Sequence, residues 1–129
     1  MTQFVLVHGS FQGGWIWQPT LAFLRAAGHD VFAPTLDGCA ERKVNLRLGI
    51  SVTLAAEELA EALFYEDLQG VVLVGTSSGG LVVEKTAALA RERVGRLVFL
   101  DALVPQPGES VKDIVERPSN ALPYEMTEF

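Results

Sequence analysis

The sequence has 129 residues, of which 49% are hydrophobic, and this length is typical of a single domain that buries its own core. The formal net charge of −6, without any run of Lys or Arg, argues against nucleic acid or an anionic membrane surface as a partner and favours a small neutral ligand. The lone Cys39 excludes an internal disulfide, and there is neither a positively charged leader nor an apolar run of about 20 residues. We therefore expect a soluble, cytoplasmic protein.

The first part of the chain predicts one β-α-β unit. An apolar strand at 3–7 ends at His8, and a loop rich in glycine and aromatic residues follows it. A helix is predicted over 18–27, because a proline lies in its first turn and Gly28 follows its last residue. A second strand is predicted at 30–33, and a crossover of this kind is almost always right-handed.

The middle of the chain predicts a long loop and then a helix. Residues 35–52 lack a hydrophobic period and include a charged cluster at 41–43, so we expect them to be irregular. A helix is predicted to begin at Thr53, which is a suitable N-cap residue. The residues spaced to form its buried stripe are Leu54, Leu59, Ala62 and Leu63.

An apolar strand at 71–74 runs directly into Gly-Thr-Ser-Ser-Gly at 75–79, and a predicted helix follows at 80–90. Such a strand is typical of the interior of a parallel sheet. Gly-x-Ser-x-Gly between a strand and a helix is the pattern of a nucleophile elbow, in which a sharp turn strains the serine backbone and exposes its Oγ. The N-terminus of the next helix directs N–H groups toward a developing anion. The pattern predicts acyl transfer at Ser77.

A further apolar strand is predicted at 96–104, and it carries Asp101 near its carboxyl end. The character of the sequence then changes, because 105–129 contains several prolines and acidic residues. One short helix is conceivable there, around 111–115.

Five segments together resemble the α/β-hydrolase superfamily, and they are 7–10, 28–31, 32–36, 75–80 and 97–101. The resemblance covers nearly the whole chain and is closest to the small group of plant methyl-ester esterases, hydroxynitrile lyases and bacterial carboxylesterases. It implies an α/β fold with a mostly parallel sheet and helices on both faces. The implied order of the strands in space is 30–33, 3–7, 71–74 and 96–104.

The resemblance also implies roles for individual residues. Ser77 matches the nucleophile, and the backbone N–H groups of Ser10 and Ser78 match the oxyanion hole. Phe11 and Thr76 lie where the substrate pocket is expected, and Thr76 replaces a histidine that close relatives often carry. No metal or organic cofactor is implied. The aromatic residues Trp15 and Trp17 lie in the same loop as Phe11, and all three are equally compatible with a pocket wall and with plain core.

The catalytic base is the part of the pattern that is absent. A serine hydroxyl needs a neighbouring base, most often histidine, and relatives place the acid and then the histidine after the nucleophile. No histidine follows Ser77. The resemblance places His8 in a His-Gly turn, where this residue usually holds the loop, so its alternative role as the base is the less favoured one. His29 is less favoured still, because it is expected at the opposite edge of the sheet. Asp101 ends its strand at the correct edge, so it is either the catalytic acid or an ordinary carboxylate.

These observations favour an N-terminal half of a hydrolase, with 1–104 as the N-terminal part of the core and 105–129 as the start of a lid. The last strand is then an apolar sheet edge that needs cover, and a C-terminal part of the same protein is expected to supply the cover, the histidine and the acid. The leading function is hydrolysis of a small carboxylic ester. The alternatives are a hydroxynitrile lyase, although those relatives have Thr where Gly9 stands, and an inert fragment or binding module.

Overall fold

The computed structural model describes residues 1–104, which contain one sheet of four parallel strands. The strands are β1 (Gln3–Val7), β2 (Asp30–Phe32), β3 (Val71–Ser77) and β4 (Val94–Ala102). Their order in the sheet is β2-β1-β3-β4, so the predicted order is confirmed. The predicted lid region at 105–129 and the short helix at 111–115 lie outside the described residues.

Three α-helices connect the strands, and they are α1 (Gln18–Ala26), α2 (Val52–Tyr65) and α3 (Gly79–Leu89). Gly28 has a φ of 89°, the left-handed conformation that commonly ends a helix, so the sequence identified the end of α1 correctly. The predicted loop at 35–52 is not wholly irregular, because a short 3₁₀ helix covers Ala40–Asn45. Within 1–104, none of the helices combines the length and the hydrophobicity needed to cross a bilayer.

The core lies on both faces of the sheet, as alternation of side chains along β-strands requires. One cluster joins β1 and β3 to α2 and α3, and its fully buried members include Val5, Val7, Leu63, Leu73 and Val83. A smaller cluster on the other face consists of Leu6, Trp17 and Val74, with the α1 residues Leu21 and Leu24 packed against it. The sheet is therefore covered by helices on both faces, as predicted.

The start of α2 differs from the prediction. The N-cap is Ser51, whose Oγ accepts a hydrogen bond of 3.2 Å from the backbone N–H of Leu54. The Leu54 side chain is 41% exposed, because it lies about 140° around the helix from Leu59 at 100° per residue. Ala56 is buried in its place, together with Leu59 and Leu63.

This difference gives a direct test of the helix boundary. Replacing Ser51 with alanine removes the capping acceptor and is expected to lower the free energy of unfolding by about 1 kcal/mol. Replacing Thr53, which is exposed, is expected to change it by less than about 0.5 kcal/mol. Urea unfolding of the two alanine variants measures both values, and a larger loss for Thr53 would show that the helix begins where the sequence pattern placed it.

β4 forms one edge of the described sheet, next to β3. Its length is nine residues, and the side chain of Leu100 is 53% exposed. A long apolar edge exposes unpaired backbone groups and is normally covered in soluble proteins. Among residues 1–104, no further strand pairs with its outer side.

Candidate active site

Ser77 is the last residue of β3 and lies two residues before the start of α3. Its φ is 51°, a left-handed conformation that a non-glycine residue rarely adopts, and its side chain is exposed. The two glycines of the motif permit this turn. A Cβ at Gly75 would lie 2.7 Å from the carbonyl oxygen of Gly79, and a Cβ at Gly79 would lie 2.6 Å from that of His8. The structure therefore has the strained strand-to-helix turn that the sequence predicted.

The loop after β1 lies directly against Ser77. A Cβ at Gly9 would be 2.7 Å from the Cβ of Ser77 and 3.2 Å from its Oγ, so only glycine fits beside the hydroxyl without a shift. The backbone N–H of Gly9 donates a hydrogen bond of 2.8 Å to Oε1 of Gln12. Gln12 thus fixes the loop at the point where it contacts Ser77.

The two residues assigned to the oxyanion hole are in contact. The backbone N–H of Ser10 donates a hydrogen bond of 2.8 Å to Oγ of Ser78, and the two hydroxyl oxygens are also 2.8 Å apart. Ser78 lies immediately before α3, so its own N–H is at the helix N-terminus, where partial positive charge accumulates. The structure brings Ser10, Ser77 and Ser78 together at the carboxyl edge of the sheet.

His8 has no nitrogen free to act on Ser77. Its side chain is fully buried, Nε2 accepts a hydrogen bond of 2.9 Å from the backbone N–H of Leu36, and Nδ1 lies 2.8 Å from the carbonyl oxygen of Gly9. Because Nε2 is an acceptor, the proton is on Nδ1, which donates to Gly9. Loss of solvent on burial lowers the pKa of His8 below its ordinary value. His8 is a neutral structural residue.

The burial of His8 makes stability depend on pH. The unfolded chain has the ordinary pKa of 6.5, whereas the folded protein has a lowered pKa. Between these two values only the unfolded chain binds the proton, so the free energy of unfolding falls as pH falls, by up to about 1.4 kcal/mol per pH unit. We expect the urea midpoint to be lower at about pH 5.5 than at about pH 7.5. A His8→Gln variant should lose less over the same interval, and an equal loss would contradict this assignment.

His29 lies at the other end of the sheet. Its Nδ1 accepts a hydrogen bond of 3.1 Å from the backbone N–H of Thr2, which precedes β1, and its ring contacts Phe4 edge to face. Ser77 ends β3 at the carboxyl edge, so His29 is remote from it, as predicted. The chain has two histidines, and neither is placed to take a proton from Ser77.

The match to a family model covers nearly the whole chain and includes this site. The profile described as the alpha/beta hydrolase family matches residues 4–127 of this chain. The chain belongs to the alpha/beta hydrolase family.

Relatives of this hydrolase chain include named esterases. A carbendazim hydrolyzing esterase of Nocardioides sp. (strain SG-4G) is 36% identical over 127 residues, which are 98% of this chain and 51% of that protein. Salicylic acid-binding protein 2 of Nicotiana tabacum is 35% identical over 125 residues, which are 95% of this chain and 47% of that protein. An extracellular α/β-hydrolase from a Paenibacillus species superposes with a TM-score of 0.80 at 30% identity, covering 88% of this chain and 46% of that one. The hydrolase chain spans about half the length of the curated relatives it matches.

Asp101 lies at the same edge of the hydrolase sheet as Ser77. Thr76 pairs with Leu100 and Ser77 pairs with Ala102, so Asp101 is the extra residue of a β-bulge, with a φ of 47°. Its side chain is exposed and forms no hydrogen bond or ion pair with residues 1–104. The position is compatible with the predicted role as catalytic acid, which stays a prediction.

The aromatic residues of the loop after β1 separate into two groups. Trp17 is only 5% exposed and belongs to the core, whereas Phe11 is fully exposed and Trp15 is largely exposed. Phe11 directly follows Ser10 and has a φ of 61°, so it is next to the site, and Thr76 is half-buried beside Ser77. The assignment of Phe11 and Thr76 to the substrate pocket stays a prediction.

A hydrogen-bond network that the sequence did not predict anchors the long loop between β2 and α2 of the hydrolase at the carboxyl edge of the sheet. The Thr35 hydroxyl accepts a hydrogen bond of 3.0 Å from the N–H of Gly14 and donates one of 2.8 Å to Oε2 of Glu41. Hydrogen bonds from its own backbone N–H and from Thr35 lower the pKa of Glu41. Arg42 donates to the carbonyl oxygen of Thr35 at 3.0 Å and forms an ion pair with Glu58 of α2. The charged cluster at 41–43 was the only signal in the sequence, and it did not reveal these partners.

Proposed function

We propose that this chain is the nucleophile-bearing part of a serine hydrolase that cleaves small carboxylic esters. The observation that carries the proposal is the conformation of Ser77, which is exposed in a left-handed turn between β3 and α3. Backbone strain of this kind persists only where the surrounding structure enforces it, and it is found most often at functional sites. Named esterases among the relatives support the same reaction class.

In the proposed reaction, Oγ of Ser77 attacks the ester carbonyl while a base takes its proton. The backbone N–H groups of Ser10 and Ser78 stabilise the negative charge on the carbonyl oxygen of the tetrahedral intermediate. The alcohol leaves with a proton from the base, and water then releases the acid from the acyl-enzyme. Phe11 and Thr76 contact the substrate in this proposal, and no step requires a metal or an organic cofactor.

The base and the catalytic acid come from a C-terminal part of the same protein. Two observations support this proposal. Both histidines of the chain are held away from Ser77 by their hydrogen bonds, and the chain spans about half the length of its curated relatives. The same part is proposed to pair with the outer side of β4. Asp101 is the alternative source of the acid, because the bulge of β4 brings it to the edge where Ser77 lies.

Lyase activity of the hydroxynitrile lyase type is the second candidate, and the glycine at position 9 argues against it. The resemblance implies Thr in lyases of that group at the position of Gly9. Here a Cβ at that position would lie 2.7 Å from the Cβ of Ser77, so a threonine does not fit beside the nucleophile. A catalytically inert binding module is the third candidate.

The experiment compares two substrates with the complete protein, which contains this chain and its C-terminal part. We expect release of the carboxylic acid from 4-nitrophenyl acetate, at a rate above the spontaneous rate, and no release of cyanide from mandelonitrile. Cyanide release without ester cleavage would replace the esterase proposal with the lyase. Absence of both reactions for a panel of short-chain esters would favour the inert module.

A further inference from the structure

The hydroxyl group of Ser78 lies where the proposed oxyanion hole would hold the carbonyl oxygen of a substrate. It accepts the hydrogen bond of the Ser10 N–H at 2.8 Å, and that N–H is a proposed oxyanion donor. Ser78 precedes α3 as its N-cap residue, yet its side chain makes no hydrogen bond to the helix. A capping serine typically has an extended backbone, whereas Ser78 has helical angles (φ −65°, ψ −15°), so its hydroxyl is directed to Ser10 and not to the first turn of α3.

A backbone amide has a single hydrogen, and the Ser10 N–H cannot serve a substrate carbonyl while it is bonded to Ser78. We propose that the Ser78 hydroxyl is an internal competitor for the oxyanion hole, which each substrate must displace before Ser77 can attack. This inference rests on the proposed function. It assigns to the Ser78 side chain a role separate from that of its backbone N–H.

The backbone of Ser10 and the backbone of Ser78 are both fixed by their surroundings, so the Ser78 hydroxyl is the only group that has to move. Ser10 follows Gly9, whose N–H is fixed by Gln12, and Ser78 lies in the tight turn between β3 and α3. Rotation of the Ser78 side chain about its Cα–Cβ bond frees the amide without a change in the backbone. Ser10 is exposed and Ser78 is half-buried, so an incoming carbonyl can reach the vacated amide.

The second contact of the pair stabilises the competing arrangement. The hydroxyl oxygens of Ser10 and Ser78 are 2.8 Å apart, so one of them donates to the other. Ser78 Oγ therefore has two hydrogen bonds to lose when it leaves, and a substrate carbonyl regains only the one from the amide. Removing the hydroxyl is expected to raise kcat/KM about fivefold, which corresponds to about 1 kcal/mol.

The test uses the complete protein and three variants. Ser78→Ala deletes the competitor, Ser78→Thr keeps a hydroxyl, and Ser10→Ala keeps the amide but removes the second contact. We expect kcat/KM for 4-nitrophenyl acetate to rise about fivefold in Ser78→Ala, to rise less in Ser10→Ala, and to remain below the alanine value in Ser78→Thr. An unchanged or reduced kcat/KM in Ser78→Ala would overturn the proposal, since it would make the hydroxyl neutral or a donor to the oxyanion.

A second measurement does not depend on turnover. Amide hydrogen exchange at Ser10, followed by NMR, is expected to be faster in Ser78→Ala than in the unmodified protein and to stay slow in Ser78→Thr. Equal exchange in Ser78→Ala and the unmodified protein would show that the amide is not bonded to the hydroxyl and would overturn the inference. If no protein or variant cleaves ester, the proposed function fails, and the exchange data still decide whether the contact exists.

Discussion

Replacement of Ser77 with alanine is expected to reduce kcat for ester hydrolysis by roughly 10⁴-fold or more. The variant retains the backbone N–H groups of Ser10 and Ser78 but has no oxygen to form the acyl-enzyme. Steady-state hydrolysis of 4-nitrophenyl acetate by the complete protein measures the effect. The alanine has the same Cβ and the same left-handed backbone, so the melting temperature should stay close to that of the unmodified protein.

The matched control for this variant is Ser51→Ala, which also removes one serine hydroxyl. Ser51 caps α2, outside the turn that carries Ser77, and it contacts Leu54. Its loss should lower stability slightly and leave kcat within about twofold at a temperature where the protein stays folded. If Ser77→Ala retained a tenth or more of the activity, another group would be the nucleophile.

Replacement of Gly79 with alanine is expected to lower the free energy of unfolding by about 3 kcal/mol. The added Cβ would lie 2.6 Å from the carbonyl oxygen of His8 and 2.7 Å from that of Val7, and both are backbone atoms that a side-chain rotation cannot move. Within a helix, alanine is ordinarily more stable than glycine by about 1 kcal/mol, so a decrease in stability on Gly79→Ala would indicate a steric clash. Urea unfolding of the variant measures the effect.

Gly49→Ala is the control for the Gly79 variant. Gly49 has a φ of 95°, and a Cβ added there would have no neighbour within 4 Å, so the cost is conformational strain of about 1–2 kcal/mol without a steric clash. A larger loss of unfolding free energy for Gly79→Ala than for Gly49→Ala would confirm that α3 packs directly on the end of β1 and the loop after it. A stabilised Gly79→Ala variant would show that the helix is farther from that loop than the structure places it.

The sequence predicted the elbow well because every part of it is local. The apolar strand, the two glycines and the following helix are consecutive, and this sequence of elements permits few other backbone paths. The φ of 51° at Ser77 is the strained backbone conformation that the motif predicts. The order of the strands was also predicted, although it came from the resemblance to the family and not from the hydrophobic pattern.

The contacts that define the site were not predictable from local pattern. Ser10 and Ser78 are 68 positions apart, and His8 and Leu36 are 28 positions apart, so only the tertiary fold brings them together. The N-cap of α2 was assigned to Thr53 and is Ser51, since both residues are competent caps and packing decides between them. Sequence alone predicted Ser77 as the nucleophile, but it did not reveal that the Ser78 hydroxyl faces the Ser10 amide.

Covalent labelling tests directly whether Ser77 is an activated nucleophile, as we propose. The complete protein is treated with a fluorophosphonate, which reacts with activated serines, and its intact mass is measured under denaturing conditions. We expect the mass of one added label in the unmodified protein and no added mass in Ser77→Ala. An unlabelled protein, or a label that persists in Ser77→Ala, would contradict it.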